Sequence, residues 1–170
     1  MFGRDQLVLV LSLTVAMWGV CNLAACTESD WWDNGPLLVE VRGDDYEWHI
    51  TYAGPDRELN TSDDIVDMRD VHVPVATPVQ IQLRSEDYVY LLALPDLELK
   101  QVAVPDREFN IDFQFDAAGV YELEGNQLCG FRHETLMGRV FVQPRAQFRA
   151  WLQDQRNRTD RAKPTEEVRI

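Results

Sequence analysis

Three soft donors lie within nine residues of one loop: Cys129, His133 and Met137, in the segment Gln127-Leu128-Cys129-Gly130-Phe131-Arg132-His133-Glu134-Thr135-Leu136-Met137. A thiolate, an imidazole and a thioether are the donor types that copper in a low-reorganisation site prefers, and a one-copper electron-transfer site uses one Cys, two His and a weak axial sulfur. These residues offer three of the four. The other histidines, His49 and His72, read as surface or hydrogen-bonded side chains. Cys129 is also the one thiol of the body, because Cys21 and Cys26 sit in or beside the N-terminal apolar run. No disulfide within the body is therefore expected, and the bland reading of Cys129 is a small buried residue.

A second donor-rich stretch runs from Asp56 to Asp64, DRELNTSDD. Carboxylates at short spacing suit calcium, but tight calcium loops carry an internal glycine and this one has none. It reads as a solvated hairpin. There is no catalytic serine elbow, zinc spacing or phosphate-binding glycine loop. Nothing points to independent enzymatic chemistry; at most the chain is a non-catalytic subunit.

The elements that carry these residues follow from periodicity. Apolar and polar residues alternate with a period near two in Leu37–Arg42 (LLVEVR) and Tyr46–Tyr52 (YEWHITY). That is the pattern of half-buried strands. Further short strands are expected at 71–75, 79–83, 88–92, 101–104, 110–115, 120–124 and 138–142, separated by proline- and glycine-bearing turns. Residues 53–70 read as one turn-rich loop. This many short strands predicts an all-β sandwich or barrel. Pro144 and the shared face of Phe148, Trp151 and Leu152 predict a short helix over 144–155, followed by a loose polar tail from Arg156.

Residues 7–25, LVLVLSLTVAMWGVCNLAA, carry no charge and follow Arg4 and Asp5. The run ends Leu23-Ala24-Ala25-Cys26, which resembles a bacterial lipobox: cleavage before Cys26 and lipid on its thiol. The alternatives are an uncleaved spanning helix and an ordinary secreted protein. Each puts the body outside the cytoplasm, on the periplasmic side of a bacterial cell membrane. The organisation expected is a signal peptide or anchor at 1–25, a linker at 26–36, a β domain at 37–143, and a helix with a polar tail at 144–170.

The net charge of −13 argues against nucleic acid. The charge is uneven. Residues 26–143 hold 8 Lys/Arg against 24 Asp/Glu, and residues 144–170 hold 7 against 4. An acidic body keeps the protein soluble and also suits a basic partner such as a soluble c-type cytochrome.

Three segments in order resemble the CuA domain of cytochrome c oxidase subunit II. In Gly43–Tyr52, GDDYEWHITY, Tyr46, Trp48 and Tyr52 fit an aromatic strand of that family. In 73–100, Ser85, Asp87, Pro95, Leu97 and Lys100 fit a Ser-x-Asp-Val and Pro-x-Leu-x-x-Lys pattern, followed by a turn at Val104-Pro105-Asp106-Arg107. In 119–140, Cys129, Gly130 and His133 fit the ligand loop Cys-x-x-x-Cys-Gly-x-x-His-x-x-Met. The resemblance implies a cupredoxin-like Greek-key sandwich or barrel and a place in respiratory electron transport.

The resemblance also implies where ligands belong, and most positions depart from it. Tyr90 stands at the first histidine, Gly125 at the first cysteine and Leu136 at the methionine, with Met137 one residue later. Gln127 stands where a glutamate lends its carbonyl. Cys129 and His133 are retained. Two coppers bridged by two thiolates are not expected of a body with one thiol; copper, if held, is mononuclear. The expectation is a subunit II-like accessory or structural component beside haem–copper oxidase subunits. The alternative is a lipoprotein that binds one copper for electron transfer or copper handling.

Overall fold

The computed structural model describes residues 30–127 and 133–162, without the side chains of residues 67, 68, 127 and 162. Residues 7–25 and Cys26 therefore lie outside the described residues, as do Cys129 and the tail from residue 163. Among the described residues no helix is long and apolar enough to cross a membrane.

Ten strands form two five-stranded sheets. They are β1 (Leu37–Asp44), β2 (Glu47–Tyr52), β3 (Ile65–Met68), β4 (Val71–Pro74), β5 (Val79–Ser85), β6 (Tyr90–Leu94), β7 (Leu99–Ala103), β8 (Phe109–Phe113), β9 (Gly119–Gln127) and β10 (Gly138–Gln143). One sheet runs β3-β2-β1-β5-β8 and the other β4-β10-β9-β6-β7. Pairing is antiparallel except between β1 and β5 and between β4 and β10. The expected all-β sandwich forms.

Alternation drives the packing. Val79, Ile81 and Leu83 of β5 point inward, as do Trp48, Ile50 and Tyr52 of β2, while their neighbours face out. Removing such side chains from water is the main stabilising contribution, about 1.5–3 kcal/mol for each large apolar group. The inward faces of the two sheets meet in one core with Val140 and Leu123 of the second sheet.

Two elements differ from the sequence expectation. β3 interrupts the loop expected at 53–70, because Tyr52 pairs with Ile65 and His49 with Met68. The helix α1 spans Arg145–Ala162 and continues seven residues past its expected end. The residues from Arg156 are polar but helix-compatible. Asp154 and Arg158 pair at 2.6 Å one turn apart, and the Arg161 side chain donates to the Asn157 carbonyl at 2.9 Å.

Part of the expected linker takes up regular structure. Trp31–Asn34 form a 3₁₀ turn, and Trp32 is only 2% exposed. Its ring meets Phe148 of α1 edge-on at 5.2 Å. One turn further along the same face of α1, Trp151 stacks on His72 at 4.1 Å, and His72 stacks on Phe141 at 4.6 Å. His72 is thus a packed ring between helix and sheet.

Candidate functional site

The ends of β2, β6 and β9 converge with the turn before β10. The β1–β2 connection is a two-residue hairpin turn, with Asp44 paired to Glu47. Asp45 and Tyr46 both take positive φ, 47° and 63°. Such turns match the twist of the strands but favour glycine or asparagine. Side chains from β6 and its approach hold the strained tip in place. The Asp45 N–H donates to Asp87 Oδ2 at 2.9 Å and the Tyr46 N–H to the Tyr90 hydroxyl at 3.2 Å. Thr135 Oγ1 donates to the Tyr46 carbonyl at 2.6 Å.

Tyr90 is fully buried, and its hydroxyl donates to Asp87 Oδ1 at 2.6 Å. Burial, then this bond to a carboxylate, raise its pKa well above the usual phenol value. Desolvation pushes the Asp87 carboxyl up. The Tyr90 hydroxyl and the N–H groups of Tyr88 and Asp45 outweigh it and hold Asp87 below the usual carboxylate range. The ring of Tyr90 fits because Gly43 opposes it: a Cβ on Gly43 would lie 2.5 Å from Tyr90 Cδ2.

Gly125 lies two residues from Gln127 on β9, and the two pair with Leu92 and Tyr90 of β6. A Cβ at Gly125 would stand 2.5 Å from both Trp48 Nε1 and the Leu136 carbonyl oxygen. Those two atoms are partners, the indole N–H donating to the carbonyl at 3.0 Å. The Leu136 side chain is fully buried and carries no lone pair.

The structure therefore brings Tyr90, Gly125 and Leu136 to one end of the sandwich, around Trp48. The backbone of Gln127 joins them through its pairing with Tyr90. His133 and Met137 flank the 3₁₀ turn Glu134–Leu136. The His133 ring stacks on Tyr46 at 4.2 Å, and Tyr46 stacks on Tyr88 at 4.9 Å. Arg69 Nε donates to the Met137 carbonyl at 3.4 Å. Cys129 lies outside the described residues. Among the described residues, no three His, Cys, Asp or Glu side chains cluster as metal ligands would.

Sequence reasoning did not anticipate the parts played by Tyr46, Tyr88 and Asp87. Their signal was faint: an Asp-Tyr pair at a hairpin tip, where left-handed φ is costly without outside bonds. A cavity of about 230 Å³ lined by Glu47, Trp48, Arg69 and Thr135 adjoins this end.

The 56–64 loop closes on itself. Asp64 Oδ2 accepts the N–H groups of Asn60 and Thr61 at 2.7 and 3.2 Å, and Asp63 Oδ1 accepts the Thr61 hydroxyl at 2.7 Å. Asp64 is buried rather than solvated, because its oxygens satisfy loop amides.

Comparison with known proteins matches this architecture. The periplasmic domain of subunit II of cytochrome oxidase from Bradyrhizobium japonicum superposes with a TM-score of 0.62 at 18% identity, over 72% of this chain and 95% of that one. Cytochrome c oxidase subunit 2 of Synechocystis is 27% identical over 140 residues, covering 81% of this chain and 40% of that protein. The Thermostichus vulcanus subunit 2 is 30% identical over 115 residues, covering 68% of this chain and 32% of that protein. The chain thus spans about a third to a half of the length of such relatives. The family model for cytochrome c oxidase subunit II, periplasmic domain, matches residues 43–142. With two five-stranded sheets and more than half of its length inside that match, the chain belongs to the cytochrome c oxidase subunit II periplasmic-domain family.

Proposed function

We propose that this chain is an exported, membrane-held subunit II homologue with a degenerate copper site, serving as an accessory component of a haem–copper oxidase. The observation that carries this reading is the Trp48–Leu136 hydrogen bond, which occupies the space a side chain at Gly125 would need. The family resemblance puts the first bridging cysteine at Gly125. The residues do not fit a pair of coppers: Gly125 has no side chain, Leu136 has no donor, and the Tyr90 hydroxyl is engaged with Asp87. Bulk fills the space where donors would stand, as close packing requires.

The exported location rests on the N-terminal run, with lipid on Cys26 the favoured attachment and an uncleaved helix the alternative. The periplasmic name of the matched family model supports the side of the membrane. The acidic body suits a basic partner, such as a c-type cytochrome, by charge complementarity.

A second reading is a single copper held by Cys129, His133 and Met137, with the Gln127 carbonyl, for electron transfer or copper delivery. It is favoured by His133, whose ring nitrogens have no hydrogen-bond partner among the described residues while stacking on Tyr46 fixes the ring plane.

Pull-down of the tagged chain from native membranes, followed by metal analysis, separates the two. The first reading expects haem–copper oxidase subunits in the eluate and no copper on the chain once it has been separated from them. Absence of the chain from every oxidase complex removes it. The second expects one copper per chain and a thiolate–copper charge-transfer band, both lost in Cys129→Ser.

A further inference from the structure

We propose that Tyr90 and Asp87 form a proton-coupled redox pair. The Tyr90 phenol gives one electron to a one-electron oxidant of high potential, a small radical or an oxidised metal complex, while its proton passes to Asp87 Oδ1. This goes beyond the accessory reading above and does not depend on it.

A phenol is hard to oxidise where its proton has no acceptor, because loss of the electron alone leaves a strongly acidic radical cation. A carboxylate already bonded to the hydroxyl removes that obstacle, since the proton then moves within one hydrogen bond. Tyr90 meets this condition. Its hydroxyl donates to Asp87 Oδ1 at 2.6 Å, the length of a charge-assisted O–H···O⁻ bond. Asp87 Oδ1 also accepts the Tyr88 N–H at 2.7 Å, and Oδ2 the Asp45 N–H at 2.9 Å. Those amides keep the carboxylate ionised and aimed at the phenol. The Tyr46 N–H donates to the Tyr90 oxygen at 3.2 Å, so that oxygen keeps a hydrogen bond after its proton has gone. The Tyr121 hydroxyl, by contrast, donates to the Ala117 carbonyl at 2.9 Å, an oxygen too weakly basic to take a proton.

The surroundings suit a radical that persists. Tyr90 is fully buried, which shields its ring from solvent and from coupling to a phenol of another molecule. Yet the surface is one ring away: Tyr88 is 43% exposed, and its ring centre lies 6.3 Å from that of Tyr90. An oxidant that meets Tyr88 can therefore draw its electron from Tyr90. Trp48, 5.6 Å away on the inner side, donates its N–H to the Leu136 carbonyl and has no proton acceptor there. The oxidising equivalent thus rests on Tyr90. The step balances: the Tyr90 hydroxyl and the Asp87 carboxylate become a neutral Tyr90 phenoxyl radical and a carboxylic acid, and the oxidant gains one electron. An electron from a one-electron reductant, with the proton returned from Asp87, restores both groups.

The test is flash photo-oxidation of the full chain in detergent by light-generated ruthenium(III) trisbipyridine, with thiols alkylated and metal removed by chelation, read by electron paramagnetic resonance. The expected result is a tyrosyl radical that decays severalfold faster in Tyr90→Phe. Asp87→Asn keeps the phenol but offers no proton acceptor, and should lower the radical yield severalfold. Tyr88→Phe, at the exposed ring, should slow formation and leave the lifetime unchanged. Circular dichroism checks that the variants are folded. Independently of folding defects, 3,5-difluorotyrosine placed at position 90 should add fluorine hyperfine splitting to the signal. Equal yield and lifetime in folded Tyr90→Phe overturns the proposal, and so does an unchanged yield in folded Asp87→Asn. A signal without fluorine splitting puts the radical elsewhere and overturns it as well. A purely structural Tyr90–Asp87 bond predicts the same radical in every folded variant.

Discussion

The indole N–H of Trp48 donates to the backbone carbonyl of Leu136 across 3.0 Å, from β2 to the turn before β10. This bond ties the ligand-loop end of the sandwich together, and it stands where a side chain at residue 125 would grow. Gly125→Cys is expected to destabilise the protein by about 1–3 kcal/mol, the usual cost of overpacking a filled interior. Urea unfolding measures the loss. Copper loading of the variant should yield no mixed-valence dicopper spectrum; such a spectrum would show that the end is not closed by packing.

Tyr90→Phe removes the hydroxyl that bonds Asp87 and receives the Tyr46 N–H. The expected cost is about 1–3 kcal/mol, since both partners lose a bond at a part-buried site. Chemical denaturation should show it, and an unchanged midpoint would mean that water replaces the hydroxyl at no cost.

The Tyr90 pKa is raised, so the native state keeps this proton after unfolded chains release theirs. Stability is unaffected below about pH 10, the ordinary tyrosine value, and falls as pH rises above it. Absorbance titration of tyrosinate in the folded protein should leave one phenol unionised until the fold is lost. In Tyr90→Phe that late step disappears.

Asp87 behaves in the opposite sense. Its folded pKa is lowered, so its contribution is present above the unfolded carboxyl value near about 4 and is lost as pH falls through the folded value. Asp87→Asn should flatten the acid limb of the stability–pH curve while leaving the neutral region less stable. A curve parallel to that of the parent protein would rule out Asp87 as a source of acid sensitivity.

Phe148 is fully buried between Trp32 and the sheet face. Phe148→Ala is expected to cost about 3–5 kcal/mol. Trp151, half-buried on His72, should cost less when truncated. Far-UV circular dichroism with thermal melts checks whether α1 detaches before the sheets unfold. A single coincident transition would mean that helix and sandwich fold as one unit.

Much of the strand pattern was legible from alternation, because side chains on a strand face opposite sides. Val79, Ile81 and Leu83 announce an inward face whatever their partners. β3 was hidden by its setting: four residues at the end of a turn-rich loop form a strand only because Tyr52 offers an edge to Ile65. The length of α1 was underestimated because its last turns carry no apolar stripe, and their support comes from Asp154–Arg158 pairing along the helix.

The amino-acid sequence by itself determined the donor inventory. One thiol at Cys129, a glycine at 125, a tyrosine at 90 and a leucine at 136 are matters of composition and order, and no folding changes them. What fills the space around those positions was decided by tertiary structure alone. Trp48 and Leu136 are 88 residues apart in the chain, and Asp45 and Asp87 are 42 apart. Bonds over such separations depend on how two sheets stack, and local periodicity carries no record of that.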